Sequence, residues 1–310
     1  MIIDFHYHVL AEDWYPEGWW LAIAATYVHG LRSVGLQMSF EEVRENMIPP
    51  LWDPDGETLI AEMDEAGIDR TVILPMDFGL LFGEPKLSIE EQNRAFADLQ
   101  KRHPDRIVAF ATVDPRRANA VALIERAIAD WGLRGLNLYP AAGFYPNARE
   151  TYRLMERVSQ LGVPVVIHTG QMAPAPLRIK HGDPIYLDDL LVDFPDVIIV
   201  AAHMSFGWHE ELVHMGVLKF NLATDISAWQ DVASSRYRLF CEHLRAALDR
   251  LGPERVLWGT DGPFPRLLMS SKDYLQLIRN LPEKAPEGIA FAEEEVAAIL
   301  GGNAARILGL

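Results

Sequence analysis

Residues 2–8, Ile-Ile-Asp-Phe-His-Tyr-His, contain the first strand of the fold. Its first part, Ile2–Phe5, is a short run of mostly apolar residues that includes β-branched ones, which is typical of a strand covered on both faces. Seven further runs of the same kind follow along the chain. The eight predicted strands are Ile2–Phe5, Thr71–Leu74, Ile107–Ala111, Gly135–Tyr139, Val163–Ile167, Val197–Ala201, Val217–Leu222 and Val256–Trp258.

The longer segments between these strands have the apolar periodicity of amphipathic helices. The predicted helices are Ile89–Arg102, Ala118–Trp131, Glu150–Leu161, Ile185–Phe194, Trp208–Met215, Ser234–Leu251 and Ser271–Asn280. Strands that alternate with helices form βαβ units with a parallel sheet, and eight such strands close a barrel. We therefore predict an α/β fold, a (β/α)8 TIM barrel, with Glu293–Leu308 as a C-terminal helical extension.

The length of the chain suits one barrel. It has 310 residues, of which 49% are hydrophobic, and a TIM barrel typically takes roughly 250 residues. We expect a single domain over residues 1–310. One insertion, residues 9–56, interrupts the alternation after the first strand and is rich in Trp, Tyr and Pro. It could form a lid over the C-terminal mouth of the barrel, because long loops in compact domains are usually functional. It could equally pack on the barrel or lie in a subunit interface.

The charge balance bears on the kind of partner. Acidic side chains outnumber basic ones by 44 to 28, and the formal charge is −16. Nucleic acids and anionic membranes require a cationic surface, so neither is expected as a partner. The N-terminus has no basic segment followed by an apolar one, and no run reaches the ~18 apolar residues of a membrane span. We expect a cytoplasmic homodimer that acts on a small molecule.

Two histidines, His6 and His8, stand at the end of the stretch 2–8 that contains the first predicted strand. Residues two apart on a strand project to the same side, so both imidazoles can point into the barrel and bind one ion. Such a pair also occurs on ordinary surfaces. Three other ligand-type residues, His168, His203 and Asp261, follow other predicted strands. The carboxyl ends of all strands in a TIM barrel meet at one mouth, so the sequence predicts a metal site there.

Seven motifs extend over nearly the whole chain. They are DFHYH at 4–8, GLNLYPAAGFYP at 135–146, PVVIHTG at 164–170, IVAAHMSFGWHEEL at 199–212, ATDIS at 223–227, LWGTDGPFP at 257–265 and GGNAARILGL at 301–310. Together they resemble the amidohydrolase superfamily, in the amidohydrolase-related branch that includes aminocarboxymuconate-semialdehyde decarboxylase. The resemblance implies a metal-dependent enzyme. It implies that His6, His8, His168 and Asp261 bind a single divalent cation, Zn²⁺ first with Mn or Fe as alternatives, and that His203 is the acid/base residue.

Two positions depart from the family pattern. Asn137 stands where binuclear relatives often have a lysine that becomes carboxylated and bridges two metals. Because an amide cannot be carboxylated, we predict one metal ion. Ser205 stands where relatives commonly have glycine, which leaves the shape of that loop open.

The proposed ligands also indicate a chemistry. A cation held by neutral imidazoles and one carboxylate can lower the pKa of a bound water from ~15.7 toward ~7. Asp261 could orient or deprotonate that water, and His203 could deliver a proton to the leaving group. We favour hydrolysis of a C–O, C–N or C–C bond next to a carbonyl in a small carboxylated, ring-derived molecule. Non-oxidative decarboxylation of an aromatic or muconate-type acid is the alternative, and a binding or assembly barrel without turnover is a third interpretation.

Further residues could support this site. Asp4 and Asp225 are candidates for carboxylates that accept the second N–H of metal-bound imidazoles. Four residues of the strand-end loops are predicted to contact substrate: Tyr139, Arg178, Trp208 and Trp229.

Overall fold

The computed structural model describes residues 1–33 and 35–310. Within these ranges the paired strands are short, parallel and buried, as expected for apolar runs covered on both faces. The strands are β1 Ile3–Tyr7, β2 Arg70–Ile73, β3 Ile107–Ala109, β4 Ala111–Thr112, β5 Leu136–Leu138, β6 Val165–Ile167, β7 Ile199–Ala201, β8 Leu222–Asp225 and β9 Val256–Leu257.

The strands close into a barrel. Strands β1 to β3 form one hydrogen-bonded set and β4 to β9 form another, each in sequence order. β3 and β4 are two pieces of one barrel position, separated by Phe110, whose N–H donates to the carbonyl of Ile73 at 3.1 Å. The last and first strands meet where the N–H of Phe5 donates to the carbonyl of Trp258 at 2.9 Å. Eight strand positions surround one interior, which confirms the predicted (β/α)8 barrel.

Helices follow the strands and cover the barrel. In the described part of the chain they are α1 Glu17–Ser33, α2 Phe40–Asn46, α3 Glu57–Ala66, α4 Gly79–Phe82, α5 Ile89–Arg102, α6 Ala120–Ala129, α7 Arg149–Leu161, α8 Asp188–Asp193, α9 His209–Gly216, α10 Gln230–Ser235, α11 Tyr237–Leu251, α12 Ser271–Arg279, α13 Leu281–Lys284, α14 Glu293–Ala297 and α15 Asn303–Leu308. None of them combines the length and the apolar content that crossing a membrane requires.

Apolar side chains of the strands fill the N-terminal half of the barrel interior. This cluster includes Ile3 and Phe5 of β1, and Ala304 and Leu308 of α15 pack against it. The C-terminal helix thus closes the lower end of the barrel. The polar groups that follow the strands lie at the opposite end, where TIM barrels place their active sites.

The seventh predicted strand, Val217–Leu222, was wrong. The strand at this barrel position is β8, which only begins at Leu222. The residues before it form the turn after α9, and Leu218 and Phe220 are each 77% exposed. An exposed apolar turn cannot be distinguished from a short buried strand by composition alone. The correction places Asp225 at the end of a strand.

The C-terminal extension, predicted as one helix, is interrupted between α14 and α15. Residues Ala298–Gly302 form a wider helical turn there. Gly301 lies so close to the start of the chain that a Cβ at this position would overlap the carbonyl of Met1. A side chain at this glycine would therefore separate the extension from β1.

The insertion between β1 and α3 consists mainly of α1 and α2. Trp19 and Trp20 are buried in it, with ring centroids 4.6 Å apart. Arg266, in the loop after β9, donates to the carbonyl of Pro50 at 2.7 Å and ties the insertion to the mouth of the barrel. Helix α1 lies at that mouth, because Ile23 and Tyr27 line the same cavity as the strand-end residues.

Candidate active site

The five polar residues predicted to follow the strands all lie at the C-terminal mouth of the barrel. His6 is the fourth residue of β1, and His8 comes directly after that strand. His168 follows β6, His203 lies two residues beyond β7, and Asp261 lies four residues beyond β9. Because parallel strands end at the same edge, these positions converge although they are far apart in sequence.

Three of the five form a compact triangle. The Nε2 atoms of His6 and His8 are 3.3 Å apart. Oδ1 of Asp261 lies 3.4 Å from Nε2 of His6 and 3.2 Å from Nε2 of His8. Ligand atoms bound at about 2.1 Å in a tetrahedral zinc site are roughly 3.4 Å apart. The spacing of the triangle therefore fits coordination of one cation.

The hydrogen bonds of the two imidazoles leave their Nε2 atoms free. Nδ1–H of His6 donates to Asp225 at 3.0 Å, and Nδ1–H of His8 donates to the carbonyl of Leu74 at 2.7 Å. In a neutral imidazole the other nitrogen then carries only a lone pair. When both rings are neutral, two lone pairs and the carboxylate of Asp261 face one another, and a cation between them would remove their mutual repulsion.

His168 and His203 extend the cluster on one side. Nδ1 of His168 lies 3.2 Å from Nε2 of His203. One ligand atom each of His6, His203 and Asp261 lies within 4.8 Å of the others. Nε2 of His168 is buried and lacks a hydrogen-bond partner within the described ranges. A buried polar atom without a partner is costly, so a ligand or a cation at this nitrogen would stabilise the site.

Asp225, at the end of β8, holds two histidines in place. Its carboxylate accepts from Nδ1–H of His6 and from the N–H of His203, each at 3.0 Å, and from the N–H and hydroxyl of Ser227. Burial would raise the pKa of Asp225, but His6, His203 and Ser227 lower it well below the usual range. Since the Ser227 hydroxyl donates to this carboxylate, its oxygen accepts from Nδ1–H of His203 at 2.7 Å. The structure thus places Asp225 against the ring of His6, and its role in supporting a metal-bound imidazole stays a prediction.

Asp4, predicted to accept a hydrogen bond from an imidazole, instead accepts from two backbone N–H groups and one hydroxyl. It accepts from the N–H of His6 at 3.1 Å, and from the N–H and hydroxyl of Thr260 at 3.0 and 2.6 Å. Burial raises the pKa of Asp4 to about 7. The segments that it joins approach closely, because a Cβ on Gly259 would lie 2.7 Å from Cβ of His6. Asp4 thereby holds β1 against the loop that carries Asp261.

The protonation state of the cluster suits a cation. Burial opposes ionisation of Asp261, but His203 and His8 outweigh it and lower the pKa of Asp261 to about 2. Burial lowers the pKa of both His168 and His203. Near neutral pH the cluster therefore presents an ionised carboxylate at Asp261 and neutral imidazoles at His168 and His203, which is the form that binds metals. At His6 burial is outweighed by the carboxylates of Asp225 and Asp261, which raise the pKa of this imidazole.

The loop after β7 turns sharply at His203. His203, Met204 and Ser205 have φ values of 62°, 44° and 48°, which non-glycine residues seldom adopt. The hydroxyl of Ser205 donates to Thr169 at 2.8 Å, and the indole N–H of Trp229 donates to the carbonyl of His203 at 2.7 Å. These side chains hold the loop in this conformation.

A cavity of about 440 Å³ opens above the cluster, and His8, His168, His203 and Asp261 form its polar end. The rest of its wall is mainly apolar and aromatic. Most of this wall comes from Trp19, Ile23, Tyr27, Met76, Phe78, Tyr139, Met172, Leu177 and Phe264.

Of the four residues predicted to contact substrate, Tyr139 belongs to this cavity. Its ring stacks on that of His168, with centroids 4.0 Å apart and planes 14° apart. The side chain of Arg178 is exposed, and Trp208 lies at the start of α9. Trp229 supports the backbone of His203 instead of facing the cavity. The structure therefore does not bring these last three to the site.

The cavity wall also contains residues that the sequence analysis missed. Phe78 lies four residues beyond the predicted strand that ends at Leu74, and its ring stacks on Trp19 with centroids 5.5 Å apart. Its neighbour Asp77 is buried and accepts two hydrogen bonds from Arg117, at 2.6 and 2.8 Å. The position of Phe78 after a strand was the available signal, but an aromatic ring carries no ligand chemistry.

Residues 3–310 match the model of a protein family described as amidohydrolase. The chain belongs to the amidohydrolase family. The members of this family are metal-dependent enzymes, and the resemblance inferred from the sequence motifs is confirmed.

Three relatives are distant in sequence from this amidohydrolase, and each covers at least 99% of it. The 2-amino-3-carboxymuconate-6-semialdehyde decarboxylase of Dictyostelium discoideum is 23% identical over 352 residues, which span 99% of this chain and 91% of that protein. An uncharacterised TIM-barrel protein from Bordetella bronchiseptica matches with a TM-score of 0.71 and 22% identity over 99% of this chain and 98% of its own. A 5-carboxyvanillate decarboxylase from Novosphingobium aromaticivorans, solved with manganese, matches with a TM-score of 0.69 and 15% identity over 100% and 96%. The two structural matches show the shared barrel.

Proposed function

We propose that this amidohydrolase is a metal-dependent decarboxylase of a small carboxylic acid with an apolar ring. One observation carries the proposal: the candidate metal cluster opens into a largely apolar cavity with His203 in its wall. Decarboxylation spreads the compact charge of a carboxylate over a larger part of the molecule. With the carboxylate at the polar end, the apolar wall would surround the ring, and His203 lies where it could protonate the carbon that loses CO₂. Two named relatives are decarboxylases, which supports decarboxylation over the hydrolysis favoured from the sequence.

The proposed metal ligands are His6, His8, His168 and Asp261. Three imidazoles and a carboxylate suit zinc, and also manganese or ferrous iron. Zinc remains our first proposal, and the manganese in the Novosphingobium aromaticivorans enzyme makes that ion the first alternative to test. A divalent cation in this place would supply the positive charge that holds the carboxylate of the substrate. We propose a single ion, because Asn137 donates its amide to the carbonyl of a neighbouring loop at 2.8 Å and cannot be carboxylated.

The chain's own residues orient the substrate and supply a proton. Phe78 and Tyr139 contact each other edge to face and offer adjoining aromatic surfaces to the ring of the substrate. The C–C bond to the carboxyl group breaks, CO₂ leaves, and the electron pair stays on the ring carbon, which takes a proton. We assign that proton to Nε2 of His203, because Ser227 fixes the other ring nitrogen. Burial lowers the pKa of His203, so its imidazolium is the minor form near neutral pH and is the stronger acid for that reason. Solvent then restores the proton.

Doubly labelled water distinguishes decarboxylation from hydrolysis in one assay. The metal-loaded enzyme is incubated with a panel of ring acids in water that contains both deuterium and oxygen-18. Decarboxylation releases CO₂ and places one solvent deuterium on the carbon that lost the carboxyl group. Hydrolysis instead places solvent oxygen in the product. We expect deuterium on carbon without solvent oxygen, measured by mass spectrometry.

Variants at two histidines complete the assay. His203→Ala is expected to lose most of the deuterium incorporation, since a positioned proton donor contributes about 10²-fold or more to a rate. His214→Ala is the control, because His214 is exposed on α9 and bonds only within that helix among the described residues. A product that carries solvent oxygen, formed without CO₂, would refute decarboxylation and favour the hydrolase interpretation.

A further inference from the structure

The cavity above the metal cluster contains no side-chain cation among the described residues that line it. Apart from two tyrosines, its ionisable groups are those of the cluster itself. A second anionic group on a ligand would therefore be buried there without a counter-charge. Burial of an unpaired charge is strongly unfavourable.

Three arginines of the surrounding loops, Arg44, Arg178 and Arg266, lie outside the lining of this cavity. Arg266 donates to the carbonyl of Pro50 at 2.7 Å. Arg44 pairs with Glu45 at 3.6 Å and lines a different cavity, on the outer side of the insertion. Arg178 is exposed. None of the three lines the cavity. Arg266 nevertheless lies near enough to Tyr27 that its charge counteracts part of the rise that burial causes in the pKa of that hydroxyl.

Flat aromatic groups form much of the wall. The rings of Trp19 and Phe78 are nearly parallel, at 22°, with centroids 5.5 Å apart. Phe264 lies edge-on to Trp19 at 6.0 Å, and Tyr139 lies edge-on to Phe78 at 5.0 Å. Surfaces of this kind bind planar rings by stacked and edge-to-face contacts.

Tyr27 brings one polar group into this wall. Trp19, Ile23 and Tyr27 are four residues apart on α1 and share one face of the helix, and all three line the cavity. The hydroxyl of Tyr27 is buried and, as far as the chain is described, has no hydrogen-bond partner. Burial raises the pKa of Tyr27 to about 12, so the hydroxyl stays protonated and can both donate and accept. A ligand with a polar substituent could satisfy it.

We infer that this site takes a planar ring acid with a single carboxylate, and that Tyr27 selects it by hydrogen bonding to a hydroxyl or carbonyl group on the ring. The inference rests on the proposed function for the position of the carboxylate at the metal cluster. The specificity-determining residue then comes from the insertion after β1, while the barrel strands supply the metal cluster. Because the described wall contains no cation, we expect dicarboxylates to bind more weakly than acids with one carboxylate.

The test measures binding and does not depend on turnover. Calorimetry gives the affinity of the metal-loaded enzyme for benzoate, the three hydroxybenzoates and the three benzenedicarboxylates. We expect one hydroxybenzoate or more to bind about tenfold tighter than benzoate, a difference of about 1.4 kcal/mol. Tyr27→Phe should abolish that gain and leave the affinity for benzoate unchanged. Each dicarboxylate should bind at least about tenfold more weakly than benzoate, because its second charge has no partner.

Tyr152→Phe is the matched control, because Tyr152 lies on α7, is not part of the cavity lining, and donates its hydroxyl to Asp193 of α8 at 2.7 Å. This variant should bind every acid as the wild type does. The inference is overturned if a dicarboxylate binds as tightly as benzoate, if Tyr27→Phe weakens benzoate and the hydroxybenzoates alike, or if none of the acids binds. Acids that bind in the expected order but give no deuterium-labelled product would refute decarboxylation and leave this inference standing.

Discussion

His168 and His203 lie next to each other, with 3.2 Å between ring nitrogens. We nevertheless expect their removal to have different effects on the amount of bound metal. His168→Ala should lose most of the bound metal, because it removes one of four proposed ligands. His203→Ala should keep about one equivalent of metal and lose about 10²-fold or more in activity, because it removes only the proton donor. Elemental analysis of the purified variants, combined with turnover of the same samples, checks both expectations.

The geometry of the cluster also allows His203 to be a metal ligand, and the two variants distinguish this from the proposed role. His203 also lies near His6 and Asp261, with one ligand atom of each within 4.8 Å of the others. If His203→Ala lost its metal while His168→Ala retained it, the proposed roles of the two histidines would be reversed. His214→Ala, on the surface of α9, should match the wild type in metal content and in activity.

Among the elements, the loop after β2 depends on one buried ion pair. Arg117 donates twice to Asp77, whose side chain is 3% exposed, and also to Glu84. Arg117→Ala would leave the carboxylate of Asp77 buried without its partner. We expect the free energy of unfolding to fall by about 3 kcal/mol, because the remaining carboxylate stays buried without a positive charge beside it. Urea denaturation measures this change.

A surface pair serves as the control for Arg117. Arg102 and Asp55 are 3.4 Å apart, and both side chains are largely exposed. Arg102→Ala should change the free energy of unfolding by no more than about 0.5 kcal/mol, since solvent screens exposed pairs. Equal effects of the two substitutions would show that the buried pair contributes nothing special to the loop that carries Phe78.

The sequence predicted the elements that carry chemistry better than those that shape the cavity. The ends of β1, β6, β7 and β9 could be read because each buried apolar strand is followed within a few residues by a ligand-type side chain. Val217–Leu222 was misread because Leu218 and Phe220 are apolar but exposed. Nothing local distinguishes an exposed apolar turn from a short buried strand.

The walls of the cavity depend on loop conformations that only the assembled barrel defines. Trp229 is an aromatic residue beyond a strand, as Tyr139 is, yet it supports His203 from behind while Tyr139 lines the cavity. Tyr27 reaches the site because α1 lies across the mouth. Such contacts between distant segments leave no periodic signal in the sequence.

For the whole molecule, metal binding should be coupled to stability. A ligand present at about 1,000 times its Kd stabilises the folded state by about 4 kcal/mol. For a chain of this size that corresponds to a rise of roughly 8 °C in Tm. A chelator should therefore lower the Tm of the metal-loaded enzyme by that order, as measured by calorimetry. The same chelator should leave the Tm of His168→Ala nearly unchanged, and an unchanged Tm in the wild type would contradict the coupling.

The central claim is that four side chains from distant parts of the chain bind one divalent cation. The most direct measurement is an anomalous difference map from crystals of the metal-loaded enzyme, collected at the absorption edge of the bound metal. We predict one peak at the barrel mouth, within about 2.3 Å of donor atoms of His6, His8, His168 and Asp261. A map without a peak at this position, or with a peak bound by His203 in place of His168, would contradict the account.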